Sequence, residues 1–144
     1  MSFALQQQEA LTVLGISARA SNAEPEAIGE LWRRFQAMGS ATAIEARRND
    51  PVYSVYCEYE SDFNGQYTVL IGCAVDAEAA TPEGMRKIEI GVGKFAVFEA
   101  VGELPMSVWQ AWADIWKTSF DRLYKADFDR YGEDGRVTVH VGVR

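Results

Sequence analysis

Ile28, Leu31, Trp32 and Phe35 recur at helical spacing, with Glu26, Glu30, Arg33 and Arg34 on the opposite side. This pattern predicts a helix near residues 25–38 that packs by a single stripe. A capping Ser21-Asn22 and an early Pro25 open it, and Gly39 stops it. Before it runs the apolar stretch Leu11–Ala20. After it, residues 51–60 (PVYSVYCEYE) and 66–75 (QYTVLIGCAV) are rich in β-branched and aromatic residues and flank a Gly-containing loop at 61–65, which reads as a β-hairpin. Two further extended pieces follow at 85–90 and 94–101, with Gly91 and Gly93 between them marking a bulge or bend. A second helix spans about 105–120, and the chain closes with extended pieces near 125–131 and 137–143.

The order is strand, helix, two strands, stated twice. Sliding the chain by 80 positions brings Pro25 onto Pro105, Ile28 onto Val108 and Trp32 onto Trp112. The expected architecture is therefore α+β. Two βαββ units, about 8–76 and 85–144 of a single domain covering 1–144, form one large, mainly antiparallel sheet with two helices and a cleft where the halves meet.

The second helix changes the picture from fold to function. Val108, Ala111 and Ile115 make one apolar row and Trp109, Trp112 and Trp116 an adjacent one, leaving Gln110, Asp114 and Lys117 polar. Two rows imply two burial partners: either a helix sunk between sheet and neighbour, or a row of indoles walling a pocket for an organic ligand. A buried acid in such a pocket would favour cations. Strand alternation puts Asp127, Asp129 and Tyr131 on one face, sets Glu58 beside Tyr56 and Glu60, and sets Glu99 among Phe95, Val97 and Val101. Each acid taken singly also fits a solvated position.

Charge and composition remove several alternatives. With 14 Lys and Arg against 21 Asp and Glu, the net charge is −7, and the scattered basic residues, densest at Arg33-Arg34 and Arg47-Arg48, make no nucleic-acid footprint. No apolar run approaches the length needed to cross a bilayer and the N-terminus lacks signal-peptide features, so a cytoplasmic address is expected. Cys57 and Cys73 fall out of register on the hairpin and are expected as buried thiols. Two Cys and one His do not suggest a metal site. His140 points away from the row Val137, Val139, Val141 and Val143 and is expected to be solvated or lightly packed. Phosphate-binding glycine motifs and a Gly-x-Ser-x-Gly elbow are missing, so no cofactor is expected.

The segments 51–62, 65–72, 90–98 (IGVGKFAVF), Trp112–Trp116 and Asp127–Tyr131 resemble, in order, the motifs of GyrI-like proteins, the effector-binding domains of AraC-type regulators. The resemblance runs from about residue 8 to the C-terminus. It implies a duplicated βαββ fold whose cleft takes up cationic or lipophilic compounds for sensing or sequestration, here without room for a helix-turn-helix reader. It also implies Asp129 where relatives commonly carry Glu. The ligand-binding set expected on these grounds is Tyr56, Glu58, Glu99, Trp109, Trp112, Trp116, Asp129 and Tyr131. Two rival functions stay open: a hydrolase of reactive small molecules using Asp129 or Glu99 with Tyr131, and a gyrase-inhibitor-like interaction with a protein partner. A homodimer is a further alternative.

Overall fold

The computed structural model describes residues 3–23, 26–38, 51–61, 65–100, 103, 106–117, 121–132 and 135–144. The expected helix punctuation at Pro25, Gly39 and Pro105, the pair Arg47-Arg48, and residues 118–120 lie outside the described residues.

Strands β1 (Ala4–Gln8) and β2 (Leu11–Ser21) lead into helix α1 (Glu26–Ala37), followed by β3 (Val52–Cys57) and β4 (Gln66–Val75). Strands β5 (Arg86–Ile90) and β6 (Gly93–Ala100) lead into α2 (Met106–Lys117), then β7 (Ala126–Tyr131) and β8 (Val137–Val143). The two helices are twelve residues each and stand 80 positions apart along the chain, the offset read from the sequence. Among the described residues all strand pairs are antiparallel, and they form one sheet with the order β1-β6-β8-β7-β3-β4-β2-β5. Each βαββ unit contributes three adjacent strands, β3-β4-β2 and β6-β8-β7, and the units meet where β3 pairs with β7.

Strand β1 was not foreseen, because its ALQQQ sequence is almost wholly exposed and carries no apolar alternation. Its pairing with β6 and that of β2 with β5 share one register: Gln8 faces Gly93 and Leu11 faces Ile90. Two residues are left on each side of the break, so Gly91 and Gly93 accompany a bend and not a bulge. Further along β2, Gly15 faces Gly72 of β4, and a Cβ built on Gly15 would come 1.9 Å from the Ile71 carbonyl oxygen. Only glycine permits the two backbones to approach so closely there.

Both helices cover the same face of the sheet. Leu31 and Phe35 of α1 pack on Leu14, Ile16, Val69 and Ile71, while Val108, Ala111 and Ile115 of α2 pack on Ala96, Phe98, Val139 and Val141. The opposite face buries its own cluster, with Val13, Tyr53, Val55, Leu70, Phe95 and Phe128. His140 belongs to that second side and corrects the expectation of a solvated ring. It is buried, stacks on Phe128 with 4.3 Å between centroids, and hydrogen-bonds to Gln8 and Thr138. Burial and the nearby Arg130 lower its pKa to about 4, so the ring is neutral near pH 7. Cys57 and Cys73 are buried and not in a disulfide, as expected; Cys73 pairs with Val52 and Cys57 with Thr68, five positions away along the hairpin.

No helix among the described residues is long and apolar enough to cross a membrane.

Candidate functional site

Between the two helices the sheet face is left uncovered at the β3–β7 seam, and a cavity of about 850 Å³ opens there. The duplication shapes its walls. Ile28 and Trp32 line it from α1, and their counterparts 80 positions on, Val108 and Trp112, line it from α2. Trp109 and Trp116 extend the α2 wall, while Tyr56, Tyr59, Tyr67 and Tyr131 come from the sheet and its loops. The rings meet mostly edge to face: Tyr56 lies 5.3 Å from Trp112 and 6.0 Å from Tyr67, and Trp32 lies 5.1 Å from Tyr131. Such contacts hold the rings in fixed orientations and leave apolar faces for a guest.

Alternation along β7 turns Asp127, Asp129 and Tyr131 toward the helices, and Phe128 and Arg130 away, as the sequence pattern indicated. Asp129 is fully buried, and two cavity-lining side chains hold it. The Tyr56 hydroxyl donates to Oδ2 at 2.7 Å and the Trp112 indole N–H to Oδ1 at 2.9 Å. Loss of water raises its pKa from 3.8 to about 7, an effect that these two hydrogen bonds oppose. The neighbouring carboxylate in turn helps to raise the Tyr56 and Tyr131 hydroxyls above their ordinary range, after burial itself.

Asp127 has a different set of partners. It accepts from Arg122 at 2.8 Å, from the Gly142 amide at 2.8 Å and from the Tyr59 hydroxyl. Burial pushes its carboxyl up and the Arg122 charge pulls it back. Arg122 itself lines the cavity, with its guanidinium 4.3 Å from the Tyr124 ring centroid and 5.7 Å from that of Trp112.

Of the eight residues singled out in the sequence, Tyr56, Trp109, Trp112, Trp116 and Tyr131 line this cavity, and Asp129 lies behind Tyr56 and Trp112. The α2 indoles differ in burial. Trp112 is 8% exposed, whereas Trp109 and Trp116 are 62% and 39% exposed and stand toward solvent.

The other two acids are corrected. Glu58 was placed beside Tyr56 by continuing the strand alternation, but β3 ends at Cys57 and Glu58 has φ of 52°, which swings its side chain out. There its carboxylate bonds to Arg86 and Thr68, which lower its pKa to about 2. Glu99 shares its face with Phe95 and Val97, the side of the sheet away from the helices, and is exposed. A base at Glu99 acting with Tyr131 is therefore not assembled. Among the described residues no cluster of His, Cys, Asp and Glu suits a metal ion.

The sequence model described as Cass2, integron-associated effector binding protein, matches residues 4–142. The chain belongs to this family. The Cass2 fold is matched by the solved integron cassette protein VCH_CASS2 from the mobile metagenome of Vibrio cholerae, with a TM-score of 0.82 and 27% identity over 99% of this chain and 95% of that one. A structure of SAV2435 bound to tetraphenylphosphonium superposes with a TM-score of 0.80 at 20% identity, covering 100% of this chain and 94% of that one. YobU of Bacillus subtilis (strain 168), described as a candidate transcriptional regulator, is 28% identical over 139 residues, 90% of this chain and 86% of that protein. These relatives agree with the GyrI-like resemblance seen in the motifs.

In this Cass2 member the sequence reading did not single out Tyr59, Tyr67 or Arg122. Tyr59 and Arg122 sit outside regular strands, where no periodicity reports facing, and Arg122 is placed by pairing with Val143 across an isolated bridge. Tyr67 begins the buried run of β4, where eight more buried residues mask the alternation.

Proposed function

We propose that the cavity between α1 and α2 binds small amphipathic organic cations, for sensing or sequestration. The observation that carries this reading is Asp129, a buried carboxylate at the base of an aromatic enclosure. A guest cation there would find rings to stack on and a negative charge little screened by water. Among the described residues the ionised acid has no cationic partner of its own, since Arg122 is engaged by Asp127. A cation would supply one. The fold neighbour that holds tetraphenylphosphonium is consistent with such a guest. Both Asp129 oxygens are already in hydrogen bonds with the wall, an arrangement that suits a fixed counter-ion better than a base that must reach a water.

The test is a titration followed by tryptophan fluorescence, comparing tetraphenylphosphonium with a neutral aromatic compound of similar size. Quenching by the cation, weakened at least tenfold by Asp129→Asn while the neutral compound is little affected, is the expected result. Equal weakening of both would assign Asp129 a purely structural part.

A further inference from the structure

Arg122 is a buried cation whose charge is balanced but whose hydrogen-bonding capacity is not. Its side chain is 6% exposed, and Nη2 bonds to Asp127, itself 0% exposed, at 2.8 Å. A guanidinium carries five N–H donors. Those on Nε and Nη1 are buried and have no acceptor among the described residues. Buried donors are nearly always paired, and an exception inside a binding cavity points to a missing partner.

The arginine is held in place from several sides. The Leu123 amide donates to the Gly142 carbonyl at 3.0 Å, and Arg122 bridges to Val143, which pins this segment to β8. Tyr124, at φ of 54°, takes a left-handed backbone turn that sets its ring against the guanidinium. Such a backbone is costly for a tyrosine and persists only where the surrounding contacts hold it.

We infer that Arg122 selects, among the cations that enter the cavity, those that also carry a neutral carbonyl oxygen, and that this oxygen accepts from the unpaired guanidinium N–H groups. This rests on the cation-binding reading above and adds a second recognition point to it. A neutral acceptor is favoured over a carboxylate because Asp127 already compensates the arginine charge. An added anion would be opposed by two buried acids next to this wall, Asp127 on Arg122 itself and Asp129 behind Tyr56 and Trp112. Nε and Nη1 are buried, so the carbonyl oxygen reaches them only as neighbouring side chains give way.

The experiment compares three probes with one cationic head: pentyl-, 4-oxopentyl- and 4-carboxybutyl-triphenylphosphonium. Each is titrated into the wild type and into Arg122→Lys, whose compact ammonium can keep a bond to Asp127 but lacks the planar fork. The wild type is expected to bind the ketone at least fivefold more tightly than the alkyl and the carboxylate probes. In Arg122→Lys the ratio of ketone to alkyl affinity is expected to fall to near one. A wild type that binds the alkyl probe as tightly as the ketone, or a preference that survives in Arg122→Lys, would overturn the inference. The wild-type comparison decides even if the lysine variant does not fold. Failure of the pentyl probe to bind at all would instead remove the cation-binding reading itself.

Discussion

The indole N–H of Trp112 donates to Oδ1 of Asp129 at 2.9 Å and so ties the aromatic wall of α2 to the acid on β7. One residue thus shapes the cavity and stabilises the charge beneath it. Both roles can be separated by substitution.

Asp129 lowers stability as the pH rises. Its pKa is lifted from 3.8 to about 7 by burial, so between these values the unfolded chain has lost the proton that the folded protein keeps. Unfolding is then favoured progressively from about pH 4 to about pH 7, by at most about 4 kcal/mol at 1.36 kcal/mol per pH unit. Asp129→Asn is expected to remove this slope. An amide oxygen can accept from Trp112 while its NH₂ donates to the Tyr56 oxygen, so both wall contacts are retained. Urea unfolding at pH 4.5, 6 and 8 checks this. Parallel pH profiles for the two proteins would exclude a buried, titrating Asp129.

Trp112→Phe keeps a ring in the wall but removes the N–H. The Asp129 carboxylate loses a bond that favours its ionised form, so its pKa is expected to move above about 7. Carboxyl carbon NMR shifts followed against pH report this directly, and an unchanged midpoint would show that the indole bond does not stabilise the charge.

The duplicated helices and the facing of residues along β7 were legible in the sequence because their signals are periodic, whereas the pairing of β3 with β7 was not. Ile28 with Trp32 and Val108 with Trp112 repeat at one offset, and Asp127, Asp129 and Tyr131 alternate on a regular strand. The errors fall where periodicity stops, or where alternation does not say which side of the sheet a face belongs to. Glu58 is one residue past the end of β3 and turns out through a positive φ, and Glu99 keeps its alternation but on the side away from the helices. Which face of β6 carries the helix depends on its pairing with β8, a long-range fact with no local mark. Arg122 carries no local mark either, since bonds to Asp127 and a bridge to Val143 place it.

The exposed indoles at the rim separate binding from stability. Trp109 is 62% exposed, so Trp109→Ala is expected to change stability by no more than about 0.5 kcal/mol while weakening aromatic guests that rest on it. Trp112→Ala, which removes a buried ring, is expected to cost about 3 to 5 kcal/mol. Thermal melts with and without ligand distinguish the two. A large stability loss at Trp109 would mean that it packs as core.

The close approach of β2 to β4 predicts a backbone defect far from the cavity chemistry. Gly72→Ala places a Cβ 2.0 Å from the Leu14 carbonyl oxygen, so the strands must separate. A loss of about 3 kcal/mol or more is expected in urea unfolding. A variant as stable as the wild type would mean that the strands at Gly15 and Gly72 are further apart than described.

Proton release on binding tests the counter-ion role of Asp129 most directly. At pH 6 the acid, with a pKa of about 7, is mostly protonated, and a permanent cation beside it should drive the proton off. Calorimetric titration of tetraphenylphosphonium in two buffers of different ionisation enthalpy counts the protons released. The expected result is close to one proton per cation for the wild type at pH 6, none at pH 9, and none for Asp129→Asn at either pH. Tight binding by the wild type with no proton released at pH 6 would contradict the account.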